Sequence, residues 1–255
     1  ALYNIYFIGT AGSGKSSLVY RFQEWMTLQG LDCITVNLDP GSEYMPYQPD
    51  VDIRDWVKVE EVMKEYGLGP NGAQIVCADM MALNAKELAD TIEGFKTPYV
   101  LIDTPGQMEL FAFRQSSNVI VNTLGKQESY LVFLSDPALA KTPNGFVSTL
   151  LLCAVTHFRF DVPLLNVLSK SDTLTEKERE DILRWSEEPE ALYDALTSGQ
   201  MSPSSVQSIE LLKAMESVGM YNQVVPVSSE EPSGIEDIYN AIQQSMEGGE
   251  DIRSD

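Results

Sequence analysis

Two hydrophobic patterns alternate along the chain. Short, unbroken apolar and β-branched runs occur at Leu2–Ile8, Cys33–Leu38, Tyr99–Ile102, Tyr130–Leu134, Leu164–Leu168 and Val224–Val227. Runs of this length without polar alternation fit strands of a parallel sheet covered on both faces. Pro226 puts the last run at a sheet edge or strand end, because proline cannot donate to a ladder. Between the runs, apolar residues fall at helical spacing. Leu18, Phe22, Trp25 and Met26 predict a helix from Lys15 to about Leu28, ended by Gly30, and Ile235, Ile238, Tyr239, Ile242 and Met246 predict a C-terminal one. Thr175–Glu178 and Ser233–Glu236 both have capping-box form at a helix start. Strands separated by helices predict an α/β fold with three layers, α/β/α, around a mainly parallel sheet.

Ligands of such sheets sit at the carboxyl ends of the strands, so the residues just after each run carry the chemistry. After the first comes Gly9-Thr10-Ala11-Gly12-Ser13-Gly14-Lys15-Ser16, then Ser17. Its spacing, between a strand and a helix, is that of a phosphate-binding P-loop and predicts a P-loop NTPase. Gly9, Gly12 and Gly14 fall where a Cβ would keep the backbone from a polyphosphate. The nucleotide-binding set here is Gly9, Gly12, Ser13, Gly14, Lys15, Ser16 and Ser17. Lys15 is expected on the β- and γ-phosphates and the Ser16 hydroxyl on Mg²⁺, with the helix N-terminus favouring the anion.

Four more loops converge on that end of the sheet. Asp39-Pro40-Gly41 offers a carboxylate to orient an attacking water or assist the metal, although the tripeptide is also good turn chemistry. In Asp103-Thr104-Pro105-Gly106-Gln107, Asp103 can hold Mg²⁺ through a coordinated water and Gly106 can give its N–H to a γ-phosphate. The metal set is therefore Ser16, Asp39 and Asp103. Ser169-Lys170-Ser171-Asp172 decides the base: an aspartate accepts from N1–H and the exocyclic amine of guanine, adenine has no matching donors, and the Lys170 stem can cover the ring. Ser169 stands where the usual motif has Asn. Ser228 and Ser229 can contribute a backbone N–H to the guanine oxygen.

Composition narrows the partners. Of 255 residues 38 are acidic and 17 basic, a net charge of −21. Such a surface repels nucleic acid and anionic lipid, so neither is expected as a direct partner. Cys33, Cys77 and Cys153 lie far apart and read as reduced, small hydrophobes. The one histidine, His157, lies in an apolar helical segment and is assigned to packing; a His-rich metal site is excluded. That segment is too short to span a bilayer, and with no signal peptide ahead of the first strand the cytoplasm is expected. Residues 1–247 are read as a single domain with an insertion at about 58–96, around the Tyr66–Ala73 loop, and a helical insertion at about 186–222, and the acidic stretch 248–255 as a flexible tail.

Tyr66–Ala73, with Gly69-Pro70-Asn71 inside, is read as a stiff loop between helical segments, Val59–Lys64 and Ala78–Gly94. That tripeptide, together with the P-loop, Asn37-Leu38-Asp39-Pro40, the Asp103–Gln107 stretch and Ser169–Asp172 in this order, resembles the GPN-loop GTPases over residues 2 to about 245. The single-domain build is similar to the archaeal members. The resemblance implies a SIMIBI-class homodimer that hydrolyses GTP to GDP with Mg²⁺ as a nucleotide switch. It implies that Asn71, held by Gly69 and Pro70, acts across the dimer near the γ-phosphate and the attacking water, with Gln107 and Glu109 around the same water. The catalytic set is then Asp39, Asn71, Gln107 and Glu109. Eukaryotic members are linked to RNA polymerase II assembly and import, which suggests a protein client. Thr10 departs from the wider class, in which several members carry a lysine that crosses to the partner's phosphates. Arg54 and Arg114 are near Asp39 and Gln107 in sequence, but they are read first as surface or ion-pair arginines, and no arginine finger is named. Two other readings stay open, an ATP-dependent kinase and a non-catalytic, nucleotide-stabilised assembly factor.

Overall fold

A computed structural model describes residues 3–221, 223–228 and 231–251. Among them the strands are β1 (Tyr3–Gly9), β2 (Cys33–Asn37), β3 (Val51–Asp52), β4 (Tyr99–Asp103), β5 (Ser129–Ser135), β6 (Leu164–Leu168) and β7 (Val224–Pro226). They form one sheet in the order β3-β2-β4-β1-β5-β6-β7, with every neighbouring pair parallel. Helices cover both faces, as the α/β/α expectation requires. The six apolar runs each become a strand, and Pro226 ends an edge strand. The seventh, β3, pairs only Val36 with Val51 and Asn37 with Asp52, and two residues are too few to leave a pattern.

Strand alternation divides the core. Tyr6, Ile8, Val100, Ile102, Leu131 and Phe133 pack on one face against Met81, Leu88, Phe111 and Ile120. Ile5, Phe7, Leu101 and Val132 point the other way, onto Leu18, Phe22 and Met26 of the helix Lys15–Leu28 and onto Ile238 and Ile242 of the last helix. The region around 186–222 folds as helices Pro189–Thr197 and Pro203–Ser217 and has its own apolar core. There Trp185, Leu192, Leu196, Leu212 and Met215 meet Phe146 and Leu150 of the helix Pro143–Phe160.

Local expectations fared unevenly. The capping box at Thr175 forms in both directions, at 3.0 and 3.1 Å. At Ser233 the expectation is corrected: Ser233 is itself the first helical residue, and the N–H groups of Ile235 and Glu236 bond the Pro232 carbonyl. That helix continues past Gly248 to Asp251, and residues 252–255 lie outside the described ones. Tyr66–Ala73 is not all loop. Helix Val59–Tyr66 is closed by Gly67 at φ 63°, and Pro70 opens the next helix, Pro70–Met80. Pro70 sits in the first turn, where a missing N–H costs nothing, so Asn71, Gly72 and Ala73 are helical. The predicted helix Ala78–Gly94 is accordingly split by a 3₁₀ turn at Met81–Asn84 before Ala85–Glu93.

His157 has a structural role: its Nδ1 donates to the Val162 carbonyl at 2.9 Å. All three cysteines are free, Cys77 and Cys153 buried. Among the described residues no helix is long and apolar enough to cross a membrane.

Candidate functional site

The turn from β1 into the helix Lys15–Leu28 needs its glycines. Gly12 and Gly14 have φ of 78° and 82°, a backbone that side chains rarely adopt. At Gly9 a Cβ would stand 2.5 Å from Ser13 Oγ and 3.1 Å from Leu134 Cβ. Ser13 Oγ is buried with no hydrogen-bond partner among the described residues, so the loop holds a polar atom in reserve beside its amides.

Lys15 and Asp103, assigned by sequence to phosphate and metal, meet each other. Lys15 is 7% exposed and its ammonium forms an ion pair with Asp103 Oδ1 and donates to the Thr104 carbonyl at 2.7 Å. Asp103, 1% exposed at the end of β4, accepts at Oδ2 from the Tyr47 hydroxyl at 2.9 Å. Burial, then the Asp103 charge and the hydrogen bond to it, push the Tyr47 phenol far above its ordinary value. Tyr47 was invisible to sequence reasoning, because a single tyrosine in an irregular stretch carries no periodic or spacing signal.

Asp39 faces the same centre. Its carboxylate accepts from the N–H of Gly41 at 2.9 Å and of Gly106 at 3.1 Å, so Gly106 spends on Asp39 the N–H that sequence aimed at a γ-phosphate. Asn37 fixes the turn, accepting from the Asp39 N–H at 2.9 Å and donating to Asp52 at 3.0 Å. Burial raises the Asp39 carboxyl and the Asp103 charge adds to it, against the two N–H groups and the Lys15 ammonium. Arg54 is an ion-pair arginine: it grips Asp52 at 2.6 Å and the Ser42 carbonyl at 2.9 Å. Arg114 pairs with Asp79 and so ties the end of helix Pro70–Met80 to the segment after β4.

Among the described residues no cluster of three His, Cys, Asp or Glu could form an all-protein metal cage. The Ser16 hydroxyl, the Asp103 carboxylate at the end of β4 and the Asp39 carboxylate in the loop after β2 are instead the sparse oxygen set suited to Mg²⁺, which keeps waters and phosphate oxygens in its shell. The donor set fits that ion.

Two adjoining cavities share Ser13, Gly14 and Ser17. One, of about 220 Å³, is lined by the loop from Thr10 to Ser17 and by Gly106. The other, of about 310 Å³, is lined by Arg21, Leu134, Ser169, Lys170, Asp172 and Val227 among others. Lys170, itself at φ 49°, lays its stem over Gly14, where a Cβ would stand 3.1 Å from Lys170 Cε. Its ammonium donates to the Gly12 carbonyl at 2.6 Å, so the base loop is fastened to the phosphate loop. Ser169 is anchored to β5, with N–H and hydroxyl both on the Ser135 carbonyl at 3.3 and 3.1 Å. The Ser171 N–H reaches the Val227 carbonyl at 3.0 Å. Ser228 is buried, accepts from the Glu231 N–H at 3.2 Å, and offers its carbonyl to Arg21. Ser229 lies outside the described residues. Sequence missed Arg21, although its place one helical turn after Ser17 puts both on one face. Burial lowers the Arg21 guanidinium from its ordinary value, countered by the charges of Asp172 and Glu24.

Gly69, Pro70, Asn71, Gln107 and Glu109 are exposed, and among the described residues none lines either cavity of its own chain. Glu109 opens a short helix, Glu109–Ala112, with Gln107 just before it.

A family model described as a conserved hypothetical ATP binding protein matches residues 7–248. GPN-loop GTPase PAB0955 of Pyrococcus abyssi is 33% identical over 242 residues, 92% of this chain and 93% of its own. GPN-loop GTPase 3 of Saccharomyces cerevisiae is 30% identical, over 92% of this chain and 89% of its own. GPN-loop GTPase 2 of Schizosaccharomyces pombe is 36% identical over 170 residues; these make up 66% of this chain but only 54% of that protein. The crystal structure of apo PAB0955 superposes with a TM-score of 0.85 at 31% identity, covering 95% of this chain and 97% of that one.

Proposed function

The chain belongs to the GPN-loop GTPases and is a GTP-binding GTPase; we propose that it works with Mg²⁺ as a homodimeric nucleotide switch. The observation that carries this reading is the pair of joined cavities, with Lys15 and the P-loop amides at one end and Asp172 at the other. Asp172 accepts from guanine N1–H and the 2-amino group, a pairing that adenine cannot make. It favours guanine although the matching family model is described by ATP.

On binding, Lys15 leaves Asp103 for the β- and γ-phosphates, and the loop amides with the helix N-terminus cradle the rest. Ser16, Asp103 and Asp39 would hold Mg²⁺, which when bound would supply charge neutralisation at the phosphates. Catalysis is then positioning plus stabilisation of charge on the transferring phosphoryl group. Asp39, held between Gly41 and Gly106, orients the attacking water and links the two loops. A γ-phosphate competes with Asp39 for the Gly106 N–H, and this exchange couples nucleotide state to loop position.

Asn71 works from the partner copy, with Gln107 and Glu109 around the same water. Its support is its exposure at the start of helix Pro70–Met80, outside both cavities of its own chain. Asn71→Ala should lower single-turnover phosphate release about 100-fold, the scale of one lost donor at a developing charge. Dimer mass by light scattering and GDP affinity should stay as in the wild type. Unchanged release from an intact dimer would remove Asn71 from the reaction. The biological client is a protein in the cytoplasm, and at −21 net charge its binding face is basic. A role in assembling a complex such as RNA polymerase is an extrapolation from the family resemblance alone.

A further inference from the structure

The Asp103 carboxylate is gripped from two sides, by Lys15 at Oδ1 and by the Tyr47 hydroxyl at Oδ2, 2.9 Å away. Tyr47 is 8% exposed and belongs to the apolar cluster between the sheet and the P-loop helix. It comes from the stretch between β2 and β3, which is fastened at two other points: Asp39 to the Gly106 N–H, and the Ser42 carbonyl to Arg54.

We propose that Tyr47 is the positioning residue for the metal-facing carboxylate. By holding Oδ2 it fixes the plane of Asp103, so that Oδ1, freed when Lys15 turns to the phosphates, is the oxygen presented to Mg²⁺ and its waters. This rests on the reading of Lys15, Asp103 and Mg²⁺ given above.

The torsion that turns an aspartate's carboxylate is broad and soft. Backbone packing alone therefore leaves the two oxygens free to rock once Lys15 has gone. A buried phenol donating to one of them removes that freedom. The same bond ties the Asp39 segment to the metal site, so a shift of the carboxylate moves the residue that orients the water. Partners that orient a metal ligand are commonly worth about 10–100-fold in metal affinity.

The test is release of a fluorescent GDP analogue from the full chain as Mg²⁺ is titrated, for wild type and Tyr47→Phe. The Phe variant keeps the packed ring and removes only the donor. In the wild type Mg²⁺ slows release; in Tyr47→Phe the Mg²⁺ concentration giving half of that effect rises about 10–100-fold, while release in EDTA keeps the wild-type rate. An unshifted Mg²⁺ midpoint overturns the proposal. So does an equal acceleration with and without Mg²⁺, which would make Tyr47 a packing residue only. Wild-type release that ignores Mg²⁺ would overturn the metal reading itself, and this inference with it.

Discussion

Replacing Lys15 by Ala should destabilise the nucleotide-free protein by about 3–5 kcal/mol, the usual cost of stripping one partner from a buried ion pair. The reason lies in Asp103, 1% exposed at the end of β4, with Lys15 as the cation on its Oδ1. Without that ammonium the carboxylate keeps, among the described residues, only the Tyr47 hydroxyl. At this chain length the loss corresponds to a fall in melting temperature of about 6–20 °C. Adding Asp103→Asn should recover much of the stability, because the stranded charge disappears and the amide oxygen can still accept from Tyr47. It should not recover nucleotide affinity, since the Lys15 ammonium that serves the phosphates is still missing. Scanning calorimetry and GDP titration of the single and double variants separate the two roles. A Lys15→Ala protein that melts with the wild type would show that the pair contributes nothing to the fold.

Asp172→Ala should weaken GDP about 10²–10⁴-fold and leave ADP binding unchanged. Two hydrogen bonds to a charged acceptor are lost, each worth about 1.5–3 kcal/mol. Asp172→Asn makes a sharper case. An amide offers one acceptor and one donor, which mismatches the two donors of guanine but matches xanthine, with N1–H beside a carbonyl at C2. That variant should therefore prefer xanthosine diphosphate to GDP, by calorimetric titration. Equal losses for every base would place Asp172 in the scaffold of the cavity instead of on the ring.

Much of this architecture was legible because its signals are local. A doubly buried parallel strand leaves a continuous apolar run, and β1, β2, β4, β5, β6 and β7 all left one. The phosphate loop is a single stretch with fixed spacing, and its Gly12 and Gly14 take a left-handed backbone that favours glycine. What escaped were relations between segments distant in sequence. The Lys15–Asp103 pair joins residues whose motifs each have a separate assignment, and their meeting follows from the adjacency of β1 and β4 in the sheet. Tyr47 reaches Asp103, and Arg21 reaches the Ser228 carbonyl, across the same kind of gap. The stretch around Pro70 was misjudged for another reason. Gly-Pro-Asn-Gly is turn chemistry and also a good helix start, and only packing of Ala73 and Cys77 into the core decides for the helix.

In the proposed complex a guanine nucleotide lies across the two cavities, base toward Asp172 and phosphates toward Lys15. Calorimetric titration of the intact chain with GDP and with ADP, both in Mg²⁺, measures this directly. Tighter binding of GDP by at least about 100-fold is expected from the two hydrogen bonds that adenine cannot form. Equal affinities, or a preference for ADP, would contradict it.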